Sequence, residues 1–240
     1  VNCRNLLVVS LLTLLAAVVL SCGGGGHSAS VPELEGTWLG VLESSGGTYV
    51  YRMTINTAGE ISEIMENGVV VPRSAAVVRE TDRLYSIEYE SGAFGGFIVD
   101  EGADHALYLD NWSYVGVLQK GALQFPDPGH FVYQDYVDSW SGYSVWMNSA
   151  MQVTKEGTTA LAVDSDYNVI GTALAGAFAG TIFGWSAGTS YYGVAEGEDT
   201  EGDLFFRMFL SVDKEFMATY ACPWGIIEFY DCEYGGWSRQ

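Results

Sequence analysis

The sequence predicts an all-β protein: antiparallel sheets forming one or two small barrels or sandwiches, arranged as a tandem duplication behind an N-terminal signal helix. Three observations predict it. Runs rich in Val, Ile, Thr, Tyr and Phe are punctuated by Gly, Asn and Asp along the whole mature chain. No window of that chain carries an apolar stripe at helical spacing. Landmarks of the first half return in the second at offsets that grow slowly, as a duplication with small loop insertions would give.

The strand reading is clearest at Tyr49-Val50-Tyr51-Arg52-Met53-Thr54-Ile55, which alternates and then meets the turn Asn56-Thr57-Ala58-Gly59 before Glu60-Ile61-Ser62-Glu63-Ile64 resumes. Leu161-Ala162-Val163 does the same through Asp164-Ser165-Asp166-Tyr167-Asn168 into Val169-Ile170. Thr37-Trp38-Leu39-Gly40 is matched by Ser139-Trp140-Ser141-Gly142 at an offset of 102, Ile55-Asn56-Thr57 by Val163-Asp164-Ser165 at 108, and Trp112 by Trp224 at 112. Phe125-Pro126-Asp127-Pro128-Gly129 falls at the joint, where two prolines and a glycine interrupt any ladder. The chain therefore divides into a signal peptide at 1–21, a Gly/Ser-rich tether at 22–33, a first β unit at 34–128 and a second at 130–240.

Composition excludes some functions. Thirty Asp and Glu stand against ten Lys and Arg in 240 residues, a formal net charge of −20. Only Lys120, Lys155 and Lys214 are lysines. Such a surface repels phosphate backbones and anionic head groups, so nucleic acid is no partner and polybasic membrane attachment is excluded. With 48% hydrophobic residues, a sizeable core can be buried.

The N-terminus carries an address. Arg4 provides a short positive region and Leu6 to Leu20 an uncharged apolar stretch. At ~1.5 Å per residue those residues reach about 22 Å, short of a ~30 Å hydrocarbon core, so they fit a signal rather than a permanent span. Val1 stands where Met is usual and reads as an alternative start. Val19-Leu20-Ser21-Cys22, followed by Gly23 to Gly26, resembles the lipobox of bacterial lipoproteins. The resemblance implies cleavage before Cys22, diacylglycerol on its sulfur and N-acylation afterwards, hence a lipid anchor in the cell envelope. Gly23 after that cysteine implies the outer membrane in a Gram-negative host. Two or more acyl chains anchor stably where one does not. The tether is a flexible coil with an end-to-end distance on the order of 15 Å. Cys3 leaves with the signal, so Cys222 and Cys232 remain in an oxidising setting and read as a disulfide.

Several motifs bear on chemistry. Tyr167 to Ala195 is uncharged, with Gly176, Gly180, Gly184 and Gly188 four apart, the small-residue spacing of membrane helices. Gly176 to Phe183 nearly repeats Gly92 to Val99, however, and that copy is flanked by Glu90, Asp100 and Glu101, so a glycine-kinked strand is expected. Gly184-Trp185-Ser186-Ala187-Gly188 matches the nucleophile-elbow pattern, making Ser186 a candidate hydrolase nucleophile. No His follows it, leaving His105 or His130 as bases only in a different fold. Ser211-Val212-Asp213-Lys214 matches S-x-x-K without its usual partner motifs and reads as a strand ending in a turn. Asp164 to Asn168 begins like a calcium loop but has Val169 and Ala175 where Gly and Glu are required. The acidic run 196–203 reads as a solvated loop, with weak calcium binding as the alternative. No metal ligand spacing and no cofactor motif is found, and catalytic residues are not expected.

The aromatics are mostly expected in cores and cross-strand pairs, with Trp38, Trp112, Trp140 and Trp224 the candidate ligand-facing residues. Gly36-Thr37-Trp38 resembles the G-x-W of the first strand in lipocalins and related calycin barrels. The resemblance implies a small apolar ligand inside an up-and-down barrel. The expected function is a non-enzymatic, membrane-anchored lipoprotein with a binding or structural role in the envelope. Its partners are the membrane, through the lipid, and a small apolar ligand or envelope component. The alternatives are a calycin-like carrier of a small apolar ligand and a serine hydrolase using Ser186. A filled interior favours the structural role, and a hollow apolar one of a few hundred Å³ favours the carrier.

Overall fold

The computed structural model describes residues 30–44, 47–71, 75–89, 94–110, 114–125, 131–148, 150, 152–185, 193–224 and 231–240. The segment expected to be a signal peptide, Cys22 and most of the expected tether lie outside these residues, as do Trp112, Ser186 and His130. Among the described residues no helix is long and apolar enough to cross a membrane.

Two closed antiparallel barrels account for nearly all of the described chain. The first contains β1 (Gly36–Ser44), β2 (Gly47–Ile55), β3 (Glu60–Glu66), β4 (Val69–Val70), β5 (Ala75–Arg79), β6 (Leu84–Tyr89), β7 (Phe94–Val99), β8 (His105–Asp110) and β9 (Tyr114–Lys120). Eight of these strands close on themselves because β9 pairs with β1 and β2 with β3, while β4 is a two-residue addition to the end of β3. The second is β10 (Asp138–Met147), β11 (Val153–Val163), β12 (Asn168–Ala173), β13 (Gly176–Trp185), β14 (Gly193–Asp199), β15 (Leu204–Leu210), β16 (Phe216–Pro223) and β17 (Cys232–Arg239), closed by β10 on β17. Of the glycine-spaced segment, Gly176, Gly180 and Gly184 lie on strand β13, with one face turned inward at Gly180 and Ile182 and the other exposed, and Gly188 lies outside the described residues.

Two of the three duplicated landmark pairs, those that lie wholly in the described residues, occupy equivalent places. Asn56 Oδ1 accepts the N–H groups of Ala58 and Glu60 (3.0 and 2.9 Å), and Asp164 Oδ1 accepts those of Asp166 and Asn168 (2.8 and 3.0 Å). Each is an Asx turn joining the second strand of its barrel to the third. A 3₁₀ turn precedes each barrel, Pro32–Leu34 in the first and Tyr133–Asp135 in the second. Trp38 donates its indole N–H to Leu34 O at 2.9 Å, and Trp140 donates to Tyr136 O at 3.0 Å. The last strand then places a cation over each ring: Lys120 Nζ lies 5.9 Å from the Trp38 centroid and the Arg239 guanidinium 4.8 Å from that of Trp140. Those cations also donate to the 3₁₀ turns, Lys120 to Glu33 O and Arg239 to Asp135 O, both at 2.6 Å.

The barrels share a wall. The outward side chains of β1, β7, β8 and β9 (Val41, Ile98, Leu107, Leu109, Val115 and Val117) join Val145, Phe209, Phe216, Ala218, Tyr220 and Tyr234 of the second barrel in one buried cluster. Strands buried on both faces need no alternation, which accounts for the unbroken apolar run Phe216-Met217-Ala218. Polar contacts flank the wall. Glu43 pairs with Arg207 and accepts the Tyr220 hydroxyl at 3.0 Å. His105 lies between Asp100 of its own barrel (Nδ1 to Oδ2, 2.6 Å) and Asp213 of the other (Nε2 to Oδ2, 2.9 Å), stacked on Phe216.

Burial disfavours the His105 imidazolium, but hydrogen bonds and charge attraction from the two aspartates outweigh it and push its pKa up to about 9. The same contacts hold Asp213 down at about 2 against its own desolvation. The imidazolium therefore stabilises the fold fully below about pH 6.5, the unfolded value, and that contribution is lost as pH rises through about 9. Asp213 loses its contribution as pH falls from about 4 through about 2. We expect urea unfolding to report a fall on the order of 2 kcal/mol between pH 6.5 and 9.5, absent in His105→Gln; an unchanged alkaline fall in that variant would remove His105 as its source.

Cys222 and Cys232, ten residues apart, form a disulfide across the β16–β17 pair. Replacing both by Ala is expected to lower stability by about 3 kcal/mol, the chain-entropy value for so short a loop. Urea titrations of this variant and of reduced native protein should coincide; a double variant as stable as the oxidised protein would contradict the structural role.

Candidate functional site

The two interiors differ in what fills them. Eight strands enclose a lumen just wide enough to be packed by side chains or to hold one small ligand. In the first barrel large inward residues meet: Trp38, Tyr51, Met53, Tyr85, Phe97 and Tyr108 are all fully buried. In the second, the inward positions of successive strands include Gly171 and Ala173 on β12, Gly180 on β13, Ala195 and Gly197 on β14, Thr219 and Ala221 on β16, and Gly235 on β17. The shortfall in volume leaves a cavity of about 470 Å³.

The cavity has a closed and an open end. Phe131, Tyr133, Tyr136 and Trp140 pack with Leu210 and Met217 beneath it. Trp146, Leu161, Val169, Phe178, Phe206 and Trp237 line its walls, and residues of the β12–β13 and β14–β15 turns, Ala175, Thr200 and Glu201, bound its mouth. Glycine permits the close approaches. A Cβ on Gly235 would come within 2.3 Å of the Trp237 ring, and one on Gly197 within 2.4 Å of Phe206, so both rings lie flat against bare backbone.

One buried carboxyl interrupts the apolar wall. Glu233 alternates in phase with Gly235 and Trp237 along β17, faces the cavity and is only 7% exposed. Both its oxygens accept the Leu174 N–H at 3.1 Å. Behind it, Ser144 and Thr159, both buried, are 2.7 Å apart, and Thr159 Oγ1 accepts the Trp237 indole N–H at 2.9 Å. Desolvation pushes the Glu233 pKa up, opposed by Leu174, by Ser144 and last by the charge of Lys155. The arrangement supplies one acidic group, aligned by a neutral donor, in an otherwise greasy chamber.

The residues singled out in the sequence fall elsewhere. Trp38 and Trp140 are buried in the floors of their barrels, and Trp224 is half-exposed on the outside, 5.2 Å from the Phe205 ring. The tryptophans that line the cavity are Trp146 and Trp237. Ser211 to Lys214 is the turn between β15 and β16, where Ser211 Oγ donates to Asp213 Oδ1 at 2.6 Å and accepts Phe216 N–H. Asp164 to Asn168 is a hairpin turn, and the 196–203 run is the end of β14 with its turn, in which Asp199 Oδ1 caps the N–H groups of Asp203 and Leu204. Glu196 pairs with Arg207 at 2.9 Å. Among the described residues no group of three or more His, Cys, Asp or Glu is placed to hold a metal ion. The signal that could have found the cavity is the series of small inward residues on alternate positions of β12, β14, β16 and β17, with Glu233 in the same phase.

No protein-family model matches the chain, and no curated protein matches its sequence. Among solved structures it is similar to a protein of unknown function from the DUF3598 family of Nostoc punctiforme PCC 73102, with 8% sequence identity, a TM-score of 0.34, and coverage of 87% of this chain and 97% of that one.

Proposed function

We propose that the protein binds one small, largely apolar ligand inside its second barrel and presents it at the bacterial envelope from a lipid on Cys22. The observation that carries this reading is the contrast between the barrels: large buried side chains meet in the lumen of the first, and the second keeps about 470 Å³ open behind a defined mouth. That volume lies within the roughly 300–1,000 Å³ range of small-molecule sites, and apolar walls with few polar groups are what such sites have. The G-x-W at Gly36-Thr37-Trp38 points to the same use through its resemblance to calycin barrels, although here the hollow unit is the second copy. The lipobox resemblance at Val19 to Cys22 supports the address, and the net charge of −20 leaves lipid rather than surface basicity as the means of attachment. Hydrolysis is the weaker reading. His105, one of the two bases considered for Ser186, has both ring nitrogens engaged by Asp100 and Asp213.

Titration with the neutral fluorophore N-phenyl-1-naphthylamine is expected to give saturable, blue-shifted emission at one probe per chain. Ala221→Phe, which fills the cavity from β16, should weaken binding at least tenfold, whereas Trp224→Ala, on the outside, should leave it within twofold. The opposite pattern would move the site to the exterior aromatics and end the cavity reading. Organic extracts of protein purified from its host should contain a co-isolated small molecule in near-stoichiometric amount. For the address, metabolic labelling with a fatty-acid analogue should mark the native protein and be lost in Cys22→Ser; equal labelling of both would exclude that cysteine.

A further inference from the structure

The charged groups that line the cavity are all acidic: Asp199, Glu201 and Glu233. They are not equivalent. Glu201 is exposed at the lip, and Asp199 spends Oδ1 on the backbone of its own turn. Glu233 alone is built into the wall, buried, and held by a neutral backbone donor. Behind it, the Trp237 indole donates to Thr159 Oγ1, and the Thr159 and Ser144 hydroxyls share a hydrogen bond in which either can donate. Two carboxylate oxygens offer about four acceptor sites, and the one N–H shared between them leaves acceptor capacity on the cavity side.

Among the described residues no Lys or Arg lines the cavity or pairs with Glu233, and the positive charge that does act on it, that of exposed Lys155 on β11, is the weakest of the influences on it. A buried carboxyl without a cationic partner is a costly feature that a leucine would avoid. It becomes favourable when a cation arrives from outside, because ion pairing and charge-assisted hydrogen bonding are strong in a site from which water is displaced.

We infer that the cavity takes a ligand whose apolar body carries one protonated amine, docked on Glu233, and that it rejects carboxylates and other anionic amphiphiles. The inference rests on the cavity reading above and names the chemical class of its ligand. Burial pushes the Glu233 pKa up, so a bound ammonium also holds as carboxylate a group that desolvation disfavours in that form.

Three probes with one body separate head-group preference from apolar binding: 1-naphthylmethylamine, 1-naphthalenemethanol and 1-naphthoate, titrated calorimetrically into the full chain at 150 mM salt. The amine is expected to bind at least tenfold more tightly than the alcohol, and the acid at least tenfold more weakly. In Glu233→Gln the amine should fall to the affinity of the alcohol, while the alcohol stays within threefold of its native value. That second result shows the variant's chamber to be intact, and it also controls for nonspecific attraction of cations to an acidic surface, since one charge in twenty changes. Equal or tighter binding of the acid, or an amine preference that survives Glu233→Gln, would overturn the inference. Binding of the alcohol with no amine preference would overturn it alone. Failure of all three probes and of the neutral fluorophore would overturn the cavity reading with it.

Discussion

Each barrel is tied shut by a tryptophan. The indole of the first strand is bonded through its N–H to the 3₁₀ turn before it and covered by a cation from the last strand, and that cation reaches back to the same turn. The turn and first strand, neighbours in sequence, are therefore joined at one ring to the distant last strand. The strength of the clamp comes from combination: a buried indole hydrogen bond contributes about 1 kcal/mol net, a desolvated cation–π contact about 2, and the ring's own burial more than either. Closing an up-and-down sheet demands that the first strand find the last after all the others have formed. A ring that binds both at once fixes the register of that final pairing. In the second barrel Trp140 lies opposite Arg239 in the β10–β17 ladder, the residue that covers it.

With closure secured at the floor, the other end is free to vary, and the two copies have diverged there. In the first barrel Tyr51, Tyr89 and Tyr108 converge with Asp110, with hydroxyl separations of 3.2 and 3.4 Å, so the end opposite the Trp38 clamp is filled by phenols. Burial and the Asp110 charge push the Tyr89 pKa up, so these are neutral donors and acceptors in a packed end. In the second barrel the corresponding end is emptied by glycine and alanine; Trp237, Thr159 and Ser144 are bonded along the wall, and Glu233 meets the Leu174 N–H of the β12–β13 turn. The same architecture thus yields a solid body and a hollow one through side-chain volume alone.

Much of this fold is legible in the sequence because its signals are local. Alternation at Tyr49 to Ile55 and the Asx turns at Asn56 and Asp164 act within a few residues. The pairing of Trp38 with Trp140 marks the first strand of each copy. The near-repeat of Gly92–Val99 in Gly176–Phe183 is different: β7 and β13 are not equivalent strands of the two barrels, and their likeness reflects a shared need for close backbone approach. What cannot be read locally is which faces pair across space. Ile98, Leu107 and Val117 look like any inward residues until the second barrel is seen to cover them. Glu233, one of thirty acids, is distinguished only by the phase that β17 gives it, and that phase is fixed by the ladder with β16, where Glu233 faces Ala221.

The shared wall explains how a hollow barrel remains a stable one. A strand that faces an open lumen loses the dispersion contacts and dry burial that its inner side chains would otherwise have, and mostly small residues cannot replace them. Strands β15, β16 and β17 recover that loss on their outer face, where Phe209, Phe216, Ala218, Tyr220 and Tyr234 are covered by the first barrel. Ile170 and Phe183, on the outer faces of β12 and β13, meet solvent instead. The strand that carries Glu233 is thus covered on its outer face by the first barrel, while the carboxyl itself reaches the Leu174 N–H of the β12–β13 turn. The docking group therefore ties the covered wall of the chamber to the exposed one beside its mouth.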